Sequence, residues 1–311
     1  MSNAGSDIRM GSLVLGGNVF GWTVNQEDSF AILDRFVEGG GNAVDTADVY
    51  SAWIPGHEGG ESETVIGNWL ATRRGIRETF WLGTKVGQQK GFTGLKPANI
   101  KAALDESLRR LQTEQVDVYY AHVDDLDTPQ EDYLLAFDEL IKLGKIRSYA
   151  LSNFTAERMS SAVRIADEAG INRPAFSQDH YNLVERGLEV DRLPVLREAG
   201  VREVPYFSLA GGFLTGKYRP GKPADSKRSD GTSPYAADPR NLKLLEVLDT
   251  IAQHHSATPA GISLAWLRQQ DGVEAPIASA RTLDQLDALL QTIDLRLADY
   301  ELAELNDASA R

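Results

Sequence analysis

The feature that most constrains this chain is an alternation: a short β-branched or aromatic run, then a longer amphipathic run, repeated eight times without a linker or compositional break. Period-two runs of three to seven residues read as strands, and apolar residues spaced three and four apart read as helices. A strand-helix order kept throughout forces parallel strands, because each crossover returns the chain to the same edge. The strands are expected at Ser12–Gly16, Ala43–Asp45, Phe80–Lys85, Val116–His122, Ile146–Leu151, Pro174–Gln178, Arg202–Phe207 and Ala275–Ala278. The helices between them are expected at 27–38, 61–73, 97–111, 129–143, 156–169, 189–199 and 239–254, with another after Pro259, one at 283–293 and a last one from Asp299. Eight such units in 311 residues predict an α/β fold, a single (β/α)8 TIM barrel with an extra C-terminal helix. A doubly wound sheet has little support, since no G-x-G-x-x-G or Walker A sequence opens a helix after an early strand.

Two connections are too long for plain linkers. Tyr50 to Gly60 follows the second strand, and Ala210 to Asp238, rich in Gly, Pro, Ser, Lys and Arg, follows the seventh. The second reads as a lid, a clamp or a locally disordered segment. Met1-Ser2-Asn3-Ala4 has no periodicity and reads as a remnant of expression.

Composition narrows the partners. The net charge of −13 opposes nucleic-acid and anionic-membrane binding, both of which need a basic face. With no cysteine there is no disulfide, thiolate nucleophile or cysteine-ligated metal, which fits a reducing compartment. No apolar stretch is long enough to span a bilayer and no leader pattern opens the chain, so a cytoplasmic location is expected.

Three predicted strands end in ionisable side chains, Asp45, Lys85 and His122, and Tyr50 follows the first of them by five residues. Parallel strands bring these four to one rim, where barrels of this type keep their chemistry. A carboxylate at the end of a buried strand needs a cation, and Lys85 supplies one. The four together admit a mechanism. Asp45 holds Lys85, Lys85 lowers the pKa of Tyr50, Tyr50 gives a proton to a developing alkoxide, and His122 orients the carbonyl. A cation at about 4 Å is worth up to roughly 4 kcal/mol at an effective dielectric of about 20, or some 3 pKa units, with desolvation opposing it. Singly, each residue has a plainer reading as a cap, a rim charge or core. His57, His180, His254 and His255 lack such a setting; the last two read as a helix end, and no metal site is expected.

These residues, together with Gly60-Glu61-Ser62-Glu63, Gly144-Lys145-Ile146-Arg147, Leu151-Ser152-Asn153-Phe154 and Leu209 to Tyr218, make a chain that resembles the aldo-keto reductase superfamily over nearly its whole length. The resemblance implies a nicotinamide dinucleotide extended across the barrel rim and a tetrad of Asp45, Tyr50, Lys85 and His122. It places Ser152, Asn153 and Gln178 at the nicotinamide carboxamide and stacks Tyr206 on the ring. Ser208, Leu209, Gly211 and Lys217 then follow the cofactor in the loop after the seventh strand. Ser279, Arg281 and Gln285 resemble an adenosine 2′-phosphate site at a helix N-terminus, which implies NADPH; Arg219, Lys222, Lys227 and Arg228 could close over a polyanion. Tyr206-Phe207-Ser208-Leu209-Ala210 departs from the family's Tyr-Ser-Pro-Leu-Ala, and Leu289 replaces a common polar residue. Trp22, Trp53 and Phe92 are candidates for an apolar wall around a small aldehyde or ketone. Two other readings stay open: a regulatory nucleotide-binding subunit on the same fold, and a non-redox barrel isomerase or lyase.

Overall fold

Each strand needs only a few residues because the barrel, rather than the strand, is the stable unit. The computed structural model describes residues 10–219, 234–291 and 293–310, so the opening Met1-Ser2-Asn3-Ala4 lies outside the described residues. The first half runs β1 (Val14–Gly16), α1 (Gln26–Glu38), β2 (Ala43–Asp45), α2 (Glu61–Thr72), β3 (Trp81–Val86), α3 (Pro97–Leu111), β4 (Val116–Ala121) and α4 (Gln130–Lys142). The second half runs β5 (Ile146–Ser152), α5 (Ala156–Ala169), β6 (Phe176–Gln178), α6 (Leu188–Ala199), β7 (Arg202–Glu203), α7 (Pro239–His254), α8 (Pro259–Arg268), β8 (Ile277–Ala278), α9 (Leu283–Leu290) and α10 (Asp299–Ala308).

All paired strands are parallel, in the order β7-β6-β5-β4-β3-β2-β1-β8. The ends of this sheet meet through three backbone bonds: Glu203 N to Gly272 O at 2.8 Å, Glu274 N to Glu203 O at 2.7 Å and Ile277 N to Pro205 O at 2.9 Å. The result is the expected (β/α)8 barrel, a single domain with α10 added at its end.

Period-two alternation sorts the core into two shells. On β4, Val118 and Tyr120 face the barrel interior, where they pack with Val14, Trp81, Phe176 and Val204. Tyr119 and Ala121 join the larger outer shell with Leu33, Phe36, Trp69, Leu104 and Phe137. Helix starts follow their chemistry: Asn25, Thr155, Asp238, Thr258 and Thr282 each accept a first-turn backbone N–H, a cap worth about 1 kcal/mol.

Several boundaries differ from expectation for local reasons. β6 and β8 begin after Pro174 and Pro276, which offer no N–H to a ladder. β7 stops well short of Phe207, whose φ of 52° is left-handed and cannot continue a strand. β4 ends at Ala121, with His122 one residue beyond, and α9 ends at Leu290 rather than Ile293. The long connection after β7 opens with a tight 3-10 segment, Ala210–Thr215, that turns at Gly211 (φ 66°) and Gly212 (φ 103°). Lys222, Lys227 and Arg228 lie outside the described residues. His255 caps α7 and pairs with Glu301 of α10 at 2.9 Å. Among the described residues no helix is long and apolar enough to cross a membrane.

Candidate active site

Parallel register sets Asp45 beside Gly83 and Lys85 beside Tyr120 at one end of the barrel. Lys85 is fully buried and Asp45 nearly so. The Lys85 Nζ donates to Asp45 Oδ2 at 2.5 Å, to the Thr46 carbonyl at 2.7 Å and to the Tyr50 hydroxyl oxygen at 3.2 Å. Its three donors are therefore all used. Burial disfavours the charge, but Asp45 and Tyr50 outweigh it and hold the ammonium above its ordinary 10.5. The second Asp45 oxygen accepts from Gln178 Nε2 at 3.0 Å. The pair is thus desolvated but fully bonded, the condition under which a buried ion pair is tolerated.

Tyr50 stands on the loop after β2, and Glu61 shapes that loop. The Glu61 carboxylate accepts from the backbone N–H of Ser51 at 3.1 Å, Glu58 at 2.9 Å and Gly59 at 3.1 Å. These donors outweigh its partial burial and keep its acid below the usual value. Gly60, at φ 85°, makes the left-handed turn into α2 that a side chain would strain. The Tyr50 carbonyl accepts from Gly60 N at 2.9 Å, which ties the ring's backbone to the helix start.

His122 presents its ring edge-on to Tyr50, with centroids 5.9 Å apart. Burial, then the Lys85 charge, brings its pKa down to about 3, so the imidazole is neutral. Tyr50 reverses one expectation. Burial pushes the phenol above 10, and Lys85 only partly opposes this, because Asp45 neutralises the ammonium and itself disfavours phenolate. Tyr50 is a phenol held ready, not an acid tuned toward neutrality.

Asp45, Tyr50 and His122 line a cleft of about 610 Å³, with Lys85 directly beneath. Of the residues assigned to a cofactor, Ser152, Asn153, Gln178, Tyr206, Ser208 and Leu209 line one side, and Gly211, Lys217, Ser279, Arg281 and Gln285 continue around it. Several are already fixed by one another. Tyr206 donates to Asn153 Oδ1 at 2.8 Å, Asn153 Nδ2 donates to the His122 carbonyl at 3.0 Å, and Ser152 Oγ donates to the Gln178 carbonyl at 2.7 Å. Asn153 reaches these partners at φ 62°, a left-handed conformation asparagine tolerates. The far face of Tyr206 stacks on His180, 5.6 Å between centroids and 21° between planes. At the start of α9 the backbone N–H of Arg281 donates to Gln285 Oε1 at 3.0 Å, while the Arg281 side chain makes no ion pair among the described residues. Leu289 lines the same end of the cleft.

Three of the residues singled out by sequence stand apart from the cleft lining. Phe92 packs against the outer core in the turn after β3 and is not part of the cleft. Its backbone N–H bonds Gln89 O at 2.9 Å and its carbonyl accepts from Asn99 Nδ2 at 2.7 Å, which folds it inward. Arg219 is turned from the cleft to Asp249, at 2.6 Å. Trp22 stands in a second layer, edge-on to Trp53 at 5.9 Å, while Trp53 reaches the cleft and lies edge-on to Tyr50 at 5.7 Å. Two contributors were missed. The Thr46 carbonyl holds Lys85, and backbone acceptors leave no residue-type signal. Asn18 lines the cleft and accepts from Ser279 Oγ at 2.7 Å; its place in the Gly-Asn-rich loop after the first strand was the available clue.

Comparison with known proteins identifies the family. The sequence is 31% identical over 328 residues to Protein tas of Escherichia coli (strain K12), covering 96% of this chain and 94% of that protein. It is 30% identical over 310 residues to Uncharacterized oxidoreductase YrpG of Bacillus subtilis (96% and 92% covered) and 29% identical over 318 residues to Norsolorinic acid reductase stcV of Emericella nidulans (96% and 78% covered). The family model of the aldo/keto reductases matches residues 12–310, and the chain belongs to the aldo/keto reductase family of oxidoreductases.

Proposed function

We propose that this protein reduces an aldehyde or ketone to an alcohol with NADPH, and that Tyr50 supplies the proton. The observation that carries this reading is the sense of one hydrogen bond. Lys85 donates to the Tyr50 oxygen at 3.2 Å, so the phenol's own hydrogen is not spent on Lys85 and is free to be given to the cleft. Burial keeps that hydrogen in place until a carbonyl oxygen gains charge. When it leaves, a phenolate stands beside an ammonium, an attraction of roughly 4 kcal/mol at an effective dielectric of about 20, against an ordinary hydrogen bond beforehand. Lys85 thus stabilises the transition state more than the ground state, which is what accelerates a reaction. The neutral His122 can donate an N–H to the same carbonyl oxygen and fix its direction.

The cleft fits a dinucleotide in volume and donor set. NADPH supplies the hydride when bound. Tyr206 offers a rigid ring face held by Asn153 and His180, and Arg281 at the N-terminus of α9 offers a cation and a dipole end for a phosphate. Trp53, half exposed and edge-on to Tyr50, suits a flat apolar carbonyl; the relative named as a norsolorinic acid reductase supports the direction of the reaction. The test is Tyr50→Phe, which keeps the ring and removes the donor. Carbonyl-dependent NADPH consumption should fall by about 10²- to 10⁴-fold, with NADPH affinity nearly unchanged. Wild-type turnover in this variant rejects the assignment.

A further inference from the structure

The Lys85 head group is held by more than its hydrogen bonds. Its three N–H donors go to Asp45, Thr46 and Tyr50, and the contact that matters for proton transfer, to Tyr50, is the longest of the three. Asp45 and Thr46 hold the ammonium at closer range than the phenol does. Beyond these bonds, the ring of Tyr120 lies near the charge, its centroid 5.7 Å from Nζ.

Tyr120 is placed for this by the ladder. It is the register partner of Lys85 on the next strand, and it belongs to the inner core with Trp81 and Phe176. Its ring has little freedom. A Cβ on Gly83 would meet Tyr120 Cε2 at 3.3 Å and Trp81 Cζ3 at 2.9 Å, so the two rings close over a residue that has no side chain. Trp81 is braced in turn by Phe176, edge-on at 6.4 Å. The Tyr120 hydroxyl lies near the Gln178 amide without meeting it in hydrogen-bonding geometry, and burial keeps it a phenol. Lys85 Nζ stands over the Tyr120 ring and makes no hydrogen bond to its hydroxyl among the described residues.

We propose that Tyr120 is a positioning residue for the reaction, its ring face holding the Lys85 ammonium against the Tyr50 oxygen. A cation within about 6 Å of a ring centroid is attracted by the ring's quadrupole, and more strongly where water is excluded. Without that face, the ammonium settles onto Asp45 and Thr46 and its contact with Tyr50 lengthens. The sequence pattern marks Tyr120 only as one of two adjacent strand tyrosines, Tyr119 and Tyr120, with nothing to say which faces Lys85.

The inference rests on the reading of Tyr50 as proton donor with Lys85 as its support, and the experiment separates the two. Tyr120 is replaced by Phe as the reference, then by mono-, di- and trifluorophenylalanine, which drain the ring face of negative potential while nearly keeping its shape. Turnover at saturating NADPH and carbonyl should fall stepwise with fluorine number, by about 2- to 30-fold over the series. The KM for the carbonyl and the thermal midpoint should stay flat. A flat turnover series, or a fall matched by falling midpoints, shows that the ring merely packs and overturns the proposal. If Tyr50→Phe and Lys85→Met keep wild-type turnover, the underlying reading fails and takes this inference with it. If both lose turnover while the fluorinated series stays flat, only the role of Tyr120 is lost.

Discussion

Acid should unfold this protein partly through one histidine. Burial, with the Lys85 charge second, holds the His122 imidazole at about 3 against an ordinary 6.5. Between those values the unfolded chain binds a proton that the folded protein refuses, so each pH unit of acidification costs about 1.36 kcal/mol of stability. A depressed folded-state pKa has this sign: the stability is whole above 6.5 and is lost as pH falls toward 3. From about pH 7.5 to about pH 4.5 only the last two units count, and the loss from His122 is about 2.7 kcal/mol. Continued to about pH 3 it comes to roughly 4 kcal/mol. The assay is equilibrium urea unfolding at both pH values for wild type and His122→Asn. The substitution shifts stability by the same offset at both pH values, and carboxylates titrating elsewhere cancel in the comparison. Wild type should lose about 2.7 kcal/mol more than the variant. Equal losses would refute a desolvated, uncharged imidazole at the cleft. The same property makes a catalytic prediction: an acid limb of turnover near pH 6 does not belong to His122.

Two further outcomes follow from named contacts. Arg281→Ala should weaken NADPH by about 1 to 3 kcal/mol, the worth of a charge-assisted hydrogen bond, and leave NADH nearly unchanged in a binding titration; equal losses count against a 2′-phosphate contact. Glu203, fully buried, accepts from Asp179 N at 2.8 Å, and among the described residues its other oxygen meets no partner in hydrogen-bonding geometry. Burial, then Asp179, pushes its acid well above the ordinary 4.5. A raised folded-state pKa means that the unfolded chain releases a proton the folded protein keeps, so stability falls as pH rises through the unfolded value. Glu203→Gln should therefore raise the thermal midpoint at neutral pH, with the gain gone below about pH 4. A lower midpoint at pH 7 would show that Glu203 is needed as an anion.

What the sequence discloses and what it hides divide along physical lines. Strand-end chemistry was legible because a barrel rim gathers the C-terminal ends of strands, so Asp45, Lys85 and His122 needed only the order of elements to be brought together. The helix starts at 156 and 283 were legible from apolar periodicity, and the structure shows Thr155 and Thr282 capping them. The place of Phe92 apart from the cleft lining was not legible, because where a turn aromatic packs depends on the turn's own hydrogen bonds. The pKa direction at Tyr50 was hidden because it is the difference of two opposed effects, and only burial depth decides the winner. The meeting of Asp179 with Glu203, 24 residues apart in sequence, and of Tyr120 with Lys85, 35 apart, depends on ladder register, which composition and periodicity do not fix.

The seam between β7 and β8 has a mechanical consequence. Elsewhere neighbouring strands share a ladder; here the ring of strands is fastened by three backbone bonds to a stretch that is mostly outside regular structure. The segments that leave those two strands carry Tyr206 and Ser208 on one side and Ser279 and Arg281 on the other. A molecule bound to both segments would add a bridge at this join beside the three backbone bonds. By mass action such a ligand should then stabilise the folded barrel more as its concentration rises.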